Sequence, residues 1–164
     1  MKKFELTSEF VTFLGKKLFR IKALVSFGDV KEGELGGLVE KEENLDQSGN
    51  AWVYGNARIS GDARVSGDAQ VSGNAWVSGD AWVSGDAWVQ NCRDYSATSC
   101  FGSENRTTTF FRTKDGGISV RCGCFYGTLN EFREKVKERH GDSRLAKEYL
   151  MLADLMEFRL SKDE

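Results

Sequence analysis

The chain has 164 residues and carries 23 Lys and Arg against 25 Asp and Glu, a net charge of −2. That balance argues against general nucleic-acid binding, which rests on a basic face. No apolar run is long enough to cross a bilayer, and MKKFELTSEF is not followed by the apolar stretch of a secretory signal, so a cytoplasmic protein without a membrane partner is expected.

The first elements read as β. Phe10, Thr12 and Leu14 suggest one strand, Gly15-Lys16 a turn, and the alternation of Phe19, Ile21, Ala23, Val25 and Phe27 a half-buried second strand. Gly28-Asp29, Gly33 and Gly36-Gly37 then mark loops and turns leading to Leu45. Residues 1–47 are expected to form a small β cap.

Seven hexapeptides follow without a break from Ser48 to Val89: SGNAWV, YGNARI, SGDARV, SGDAQV, SGNAWV, SGDAWV, SGDAWV. Each places Ala two positions before Val or Ile, so both point to one side of a short strand while the residue between them points to the other. Small Ala and β-branched Val suit a narrow interior, and Gly-Asn or Gly-Asp suits corners that need positive φ. Three hexapeptides make one triangular coil, so residues 18 apart stack on one wall: Trp52, Gln70 and Trp88; Arg58 and Trp76; Arg64 and Trp82. Such an array cannot bury its core at its ends and needs caps. The four outward tryptophans, Trp52, Trp76, Trp82 and Trp88, are expected at an interface with neighbouring subunits or flanking segments.

These repeats resemble the left-handed parallel β-helix of hexapeptide-repeat proteins, a family whose members are commonly trimers. The resemblance implies a homotrimer and the left-handed course of the coil. Together with ALVSFGDVKEGELGGLVEKEENL, which resembles the N-terminal cap of a group of bacterial and bacteriophage repeat proteins, it implies a phage or prophage setting. Acyltransferases of the repeat family use a catalytic histidine near the coils, and its carbonic anhydrases use three for metal. This chain has one histidine, His140, outside the array, so the three-histidine metal site is excluded and the acyltransferase reading weakened. Asp62, Asp68, Asp80 and Asp86 read as corner hydrogen-bonding residues rather than a calcium ladder.

Beyond the repeats, Thr107 to Arg112 and Ile118 to Phe125 are expected to form a hairpin closed by Lys114-Asp115-Gly116-Gly117. Thr128 and Glu131 form a capping box for a helix with Leu129, Phe132 and Val136 on one face, ended by Gly141. Asp142 or Ser143 starts a second helix with Leu145, Tyr149, Leu152 and Met156 on its apolar face. His140 falls at the end of the first helix, where a cationic or capping side chain is favourable.

The four cysteines are Cys92, Cys100, Cys122 and Cys124, and their C-x7-C and C-x-C spacing is not that of a paired zinc site. They read as buried thiols, with Cys122 and Cys124 on one face of a strand. The fold expected overall is mainly β with a small α+β end. A short left-handed β-helix, 48–95, is closed by the N-terminal cap and by a ββαα module, 96–164.

GSENRTTT, Gly102 to Thr109, is the best candidate site. It gathers flexible glycine, hydroxyls, an amide and an arginine, so Ser103, Asn105, Arg106, Thr107 and Thr109 are candidate ligands of a phosphate. The same stretch, with Cys122-Gly123-Cys124-Phe125, Gly127-Thr128 and Glu131-Phe132, resembles a C-terminal module of small phage and prophage proteins without an assigned activity. The expectation is a non-enzymatic binding protein that needs no cofactor or metal and sequesters a phosphorylated small molecule or nucleotide-like host defence signal. The alternatives are a module that binds and inhibits a host protein, and a repeat-family transferase.

Overall fold

The computed structural model describes residues 1–101 and 106–161, with the backbone alone described at 100 and 101. An antiparallel hairpin opens the chain, β1 (Phe4–Phe13) and β2 (Lys16–Ala23). Its turn is Leu14-Gly15, both at positive φ, rather than Gly15-Lys16. The second strand is shorter than its alternation predicts. It ends at Ala23, and Phe27 instead makes an isolated bridge to Val30. The register also shifts between Arg20 and Lys22 against the next strand, which lets Leu18 and Ile21 both be buried although they are an odd number of positions apart.

Gly36 and Gly37 lie within β3 (Leu35–Val39), a buried strand and not a turn. A Cβ on Gly36 would sit 2.6 Å from both Cζ2 of Trp52 and the Val53 carbonyl, and one on Gly37 would overlap Val53 Cγ1. The glycine pair therefore serves close approach, letting a strand of the cap lie directly against the first coil.

The repeats contribute seven two-residue strands, one per hexapeptide: β4 (Trp52–Val53), β5 (Arg58–Ile59), β6 (Arg64–Val65), β7 (Gln70–Val71), β8 (Trp76–Val77), β9 (Trp82–Val83) and β10 (Trp88–Val89). They stack in parallel as β4-β7-β10, β5-β8 and β6-β9, so partners are 18 residues apart as the repeat requires. Ala and Val or Ile of every repeat point inward and are at most 2% exposed. The corner glycines from Gly49 to Gly85 all have φ between 60° and 69°. The ladders begin upstream of Ser48: Leu38 and Val39 pair in parallel with Arg58 and Ile59, and Leu45 bridges Val65.

The C-terminal part has two more strands than its sequence pattern predicts. Four antiparallel strands follow in order, β11 (Tyr95–Phe101), β12 (Arg106–Arg112), β13 (Ile118–Cys122) and β14 (Phe125–Thr128). Gly123, at φ 59°, breaks the run from 118 to 125 into a hairpin, so Cys122 and Cys124 do not share one strand face. The buried-thiol expectation fails for Cys92 and Cys124, which are exposed, while half-buried Cys122 accepts from the Thr108 hydroxyl at 3.2 Å. Helices α1 (Leu129–His140) and α2 (Arg144–Leu160) follow, with the Thr128–Glu131 capping box on the first and Ser143 capping the second.

Adjacent residues of β12 face opposite ways. Phe111 joins the core continuous with the coils, and Phe110 joins the core formed with both helices. The sheet is thus a partition between the last coil and the helix pair. Arg112 fastens it to the end of α2, donating to the carbonyls of Leu160 at 2.6 Å and Ser161 at 3.1 Å, and pairs with Asp94 at 3.0 Å.

The two open ends of the solenoid have opposite polarity. Backbone N–H groups of each coil donate to carbonyls of the next, as Arg58 does to Ala75 at 2.9 Å. The first coil therefore presents carbonyls that only the cap can satisfy, and the amides of Leu38, Glu40 and Asp46 take those of Ala57, Ile59 and Val65. The Lys3 ammonium lies within hydrogen-bonding reach of those of Ser48, Gly49 and Ala51, the Asn44 amide caps Gly61 and Ala63, and Arg20 caps Gly55. The last coil presents unused N–H groups. Thr109 Oγ1 accepts from Trp82 at 3.0 Å, and one Asp94 oxygen accepts from Gln90 and Asn91.

Gly36→Ala forces a methyl against backbone and is expected to lower stability by about 1–3 kcal/mol; an unchanged urea midpoint would rule out the close approach. Burial pushes the Lys3 ammonium down from its ordinary 10.5 to about 8, against a smaller upward pull from Asp46. The unfolded chain then binds more protons than the folded one between those values, so Lys3 adds stability as pH rises through that window and loses it as pH falls back towards about 8. Urea titrations across the window are expected to show the wild type gaining on Lys3→Met; a pH-independent difference would show that the ammonium is not desolvated.

Candidate functional site

The tryptophans are covered from within the chain. Trp52 is fully buried, with Phe27 and Phe4 edge-on to its ring at 5.3 and 6.3 Å. Trp76 meets Phe13 of the N-terminal hairpin at 4.8 Å and donates its indole N–H to Ser60. Trp82 donates likewise to Ser66 and is covered by the C-terminal sheet. Trp88 alone remains substantially open, at 38% exposure.

Of the candidate phosphate ligands, Ser103 and Asn105 lie outside the described residues. Thr109 is buried, and its hydroxyl serves as the acceptor for the Trp82 amide. Thr107 is half-buried and shares a hydrogen bond of 3.1 Å with the exposed Ser99 on the neighbouring strand. Arg106 is exposed, and its guanidinium lies over Gly123.

Strand alternation puts Thr107 and Thr109 on the coil-facing side of the sheet, and the register sets Arg121 opposite both Thr109 and Tyr126. The Arg121 guanidinium lies 3.6 Å from the Trp82 ring centroid and 6.0 Å from that of Tyr126. Arg64, from the coil itself, reaches within 5.8 Å of the same indole. Neither Arg64 nor Arg121 forms a salt bridge among the described residues, although Arg64 acts at longer range on Asp62, which pairs with Lys41; Arg121 Nε is buried without a hydrogen bond. Two guanidiniums thus flank one indole on the side of the sheet that carries Thr107. Sequence reading missed Arg121 because its relation to Trp82 depends on how the sheet docks, although the outward position of Arg64 beside Trp82 on one wall was legible.

Other residues offer less to an anion. A groove of about 740 Å³ between the β12–β13 turn and the start of α1 is lined by Asp86, Asp115, Glu131 and Glu157, which would repel one. His140 stacks on Tyr149 with centroids 5.7 Å apart at the end of α1. Asp62 is paired with Lys41 at 2.6 Å, which holds its carboxyl below the ordinary range. Among the described residues there is no cluster of three or more His, Cys, Asp or Glu suited to a metal, and no helix is long and apolar enough to cross a membrane.

Comparison with known proteins agrees with the repeat architecture. No curated protein matches the chain. Residues 57–73 and 69–85 match a family model described as the YdcK beta solenoid repeat. With its parallel ladders and two C-terminal helices, the chain is a mainly β, β-solenoid repeat protein.

Proposed function

We propose that the protein is a non-enzymatic binding protein that holds a phosphorylated small molecule or nucleotide where the C-terminal sheet meets the last coil. The observation that carries this reading is the pair Arg64 and Arg121 on the Trp82 indole, neither in a salt bridge among the described residues, beside the Thr107–Ser99 hydroxyl pair. A guanidinium stacked on an aromatic keeps its charge and is held in one orientation before the ligand arrives, which lowers the cost of binding. Arg106, at the start of β12, supplies a third cation. Ser103 and Asn105 complete the set on this reading, whereas the Thr109 hydroxyl positions the coil.

The left-handed course of the coil, a trimeric assembly and a phage-type role in sequestering a host signal belong to the same proposal, and rest on the resemblance of the repeats and the C-terminal module. With most indoles covered by the flanks, assembly would use the remaining wall surface, including Trp88.

Calorimetric titration with nucleoside mono- and diphosphates is expected to show saturable binding, with the nucleotide recovered unaltered. Arg121→Ala and Arg106→Ala should each weaken it at least about tenfold, the loss of one charge-assisted contact, without changing the melting temperature by more than a few degrees. Equal affinity in Arg121→Ala, or consumption of the nucleotide, would defeat the reading. Native mass spectrometry of the same protein reads subunit number and any retained ligand together.

A further inference from the structure

Helix α2 has a second apolar stripe that the fold does not use. Its inner face, including Ala146, Tyr149, Leu152, Ala153 and Met156, is buried in the C-terminal core. Met151, Leu155 and Phe158 follow one another at helical spacing on the outside and are 71%, 56% and 81% exposed. Large apolar side chains in a row on a solvent face signal a partner, because each would be stabilised by burial and none is required by the helix itself.

The charges around this stripe say what kind of partner. Leu155 and Phe158 border a groove of about 640 Å³ between α2 and the segment that leaves the last coil, with Arg93, Arg112 and Arg159 also in its lining. The one carboxylate there, Asp94, is already used: it pairs with Arg112 at 3.0 Å and accepts from the amides of Gln90 and Asn91. Arg93 and Arg159 are exposed, and neither has an ion pair among the described residues. The nearby acids of α2 are engaged as well: Arg133 holds both Asp154 at 2.8 Å and Glu157 at 2.7 Å, which leaves one negative charge in that trio, and neither acid lines the groove. The groove therefore sets the apolar side chains of Leu155, Met156 and Phe158 beside two arginines, Arg93 and Arg159, that have no ion pair among the described residues. A second copy docking by two-fold symmetry would bring the same arginine-bearing patch against itself.

We infer that this face binds an acidic amphipathic helix of another protein. The partner's apolar side chains would lie along Met151, Leu155 and Phe158, and its carboxylates would meet Arg93 and Arg159, the helix-in-groove mode with complementary charge. The surface lies on the helix side of the sheet, away from the Arg64–Arg121 cluster on the coil side, so the two bind independently.

The test uses the full chain and a fluorescent synthetic helix with Leu at successive i, i+4 and i+7 positions and Glu at the flanking ones, alongside a twin with Lys in place of Glu. Anisotropy titrations are expected to show saturable binding of the Glu helix that weakens with salt, and no binding of the Lys twin. Phe158→Asp and Arg159→Glu, both at exposed positions, should each cost at least about tenfold in affinity, with thermal melting unchanged. Equal binding of the two helices, or full affinity in Phe158→Asp, would overturn the inference. So would sedimentation showing a wild-type oligomer that Phe158→Asp dissociates, or tighter binding to phosphatidylserine vesicles than to the Glu helix through the same residues. Nucleotide binding is read separately in each variant and is expected to be unaffected, so failure of either site leaves the other standing.

Discussion

The structure depends on how a short parallel solenoid satisfies the backbone at its two ends. Every coil passes its hydrogen bonds in one direction, so one end is a surface of acceptors and the other a surface of donors. Buried backbone groups left without partners cost more than a made hydrogen bond gains, and a solenoid of so few coils has a large share of its backbone at the ends. The chain answers with side chains of matching sense: an ammonium, a guanidinium and an amide at the acceptor end, and a hydroxyl and a carboxylate at the donor end. Lys3 shows the cost of this solution. Its charge is the right one for a ring of carbonyls, yet it is held where water would otherwise solvate it, and its proton affinity falls accordingly.

Much of the architecture was legible in the sequence wherever neighbours are set by local periodicity. The inward Ala and Val positions, the corner glycines and the stacking of residues 18 apart all follow from the hexapeptide, because each coil sees mainly copies of itself. The helices were also legible, since the capping box at Thr128–Glu131 and the positive-φ stop at Gly141 act within a few residues. What escaped were features whose partners are distant. Gly36-Gly37 has the composition of a turn, and only the presence of Trp52 and Val53 makes it a strand that needs bare backbone. Tyr95–Phe101 has little of a strand's alternation, and becomes one because β12 offers it a free edge.

The candidate site was half legible for the same reason. The sequence singled out the stretch leading into β12, where Arg106 and Thr107 lie. It did not distinguish Thr109, whose hydroxyl is turned to a backbone amide of the coil, from Thr107, whose hydroxyl meets another at the sheet's edge. Nor did it pair Arg121 with Trp82, residues that meet only because Phe111 seats the sheet on the solenoid. The outward tryptophans explain themselves in retrospect: they are the surfaces on which the chain's own flanks rest, and the coil is the frame that holds those flanks apart.

The three-walled coil has a consequence for how such an array can lengthen or shorten. The N-terminal hairpin rests on the wall of Arg58 and Trp76, and Arg121 of the C-terminal sheet on the wall of Arg64 and Trp82. Gain or loss of three hexapeptides would preserve those seats and merely move the two ends apart or together. A change of one or two would turn the terminal sheet onto a different wall, away from the arginine and hydroxyl it now meets. Drift in repeat number, easy for near-identical hexapeptides to generate, is thereby filtered into whole turns, and the spacing between the chain's two ends becomes a quantity inherited in discrete steps.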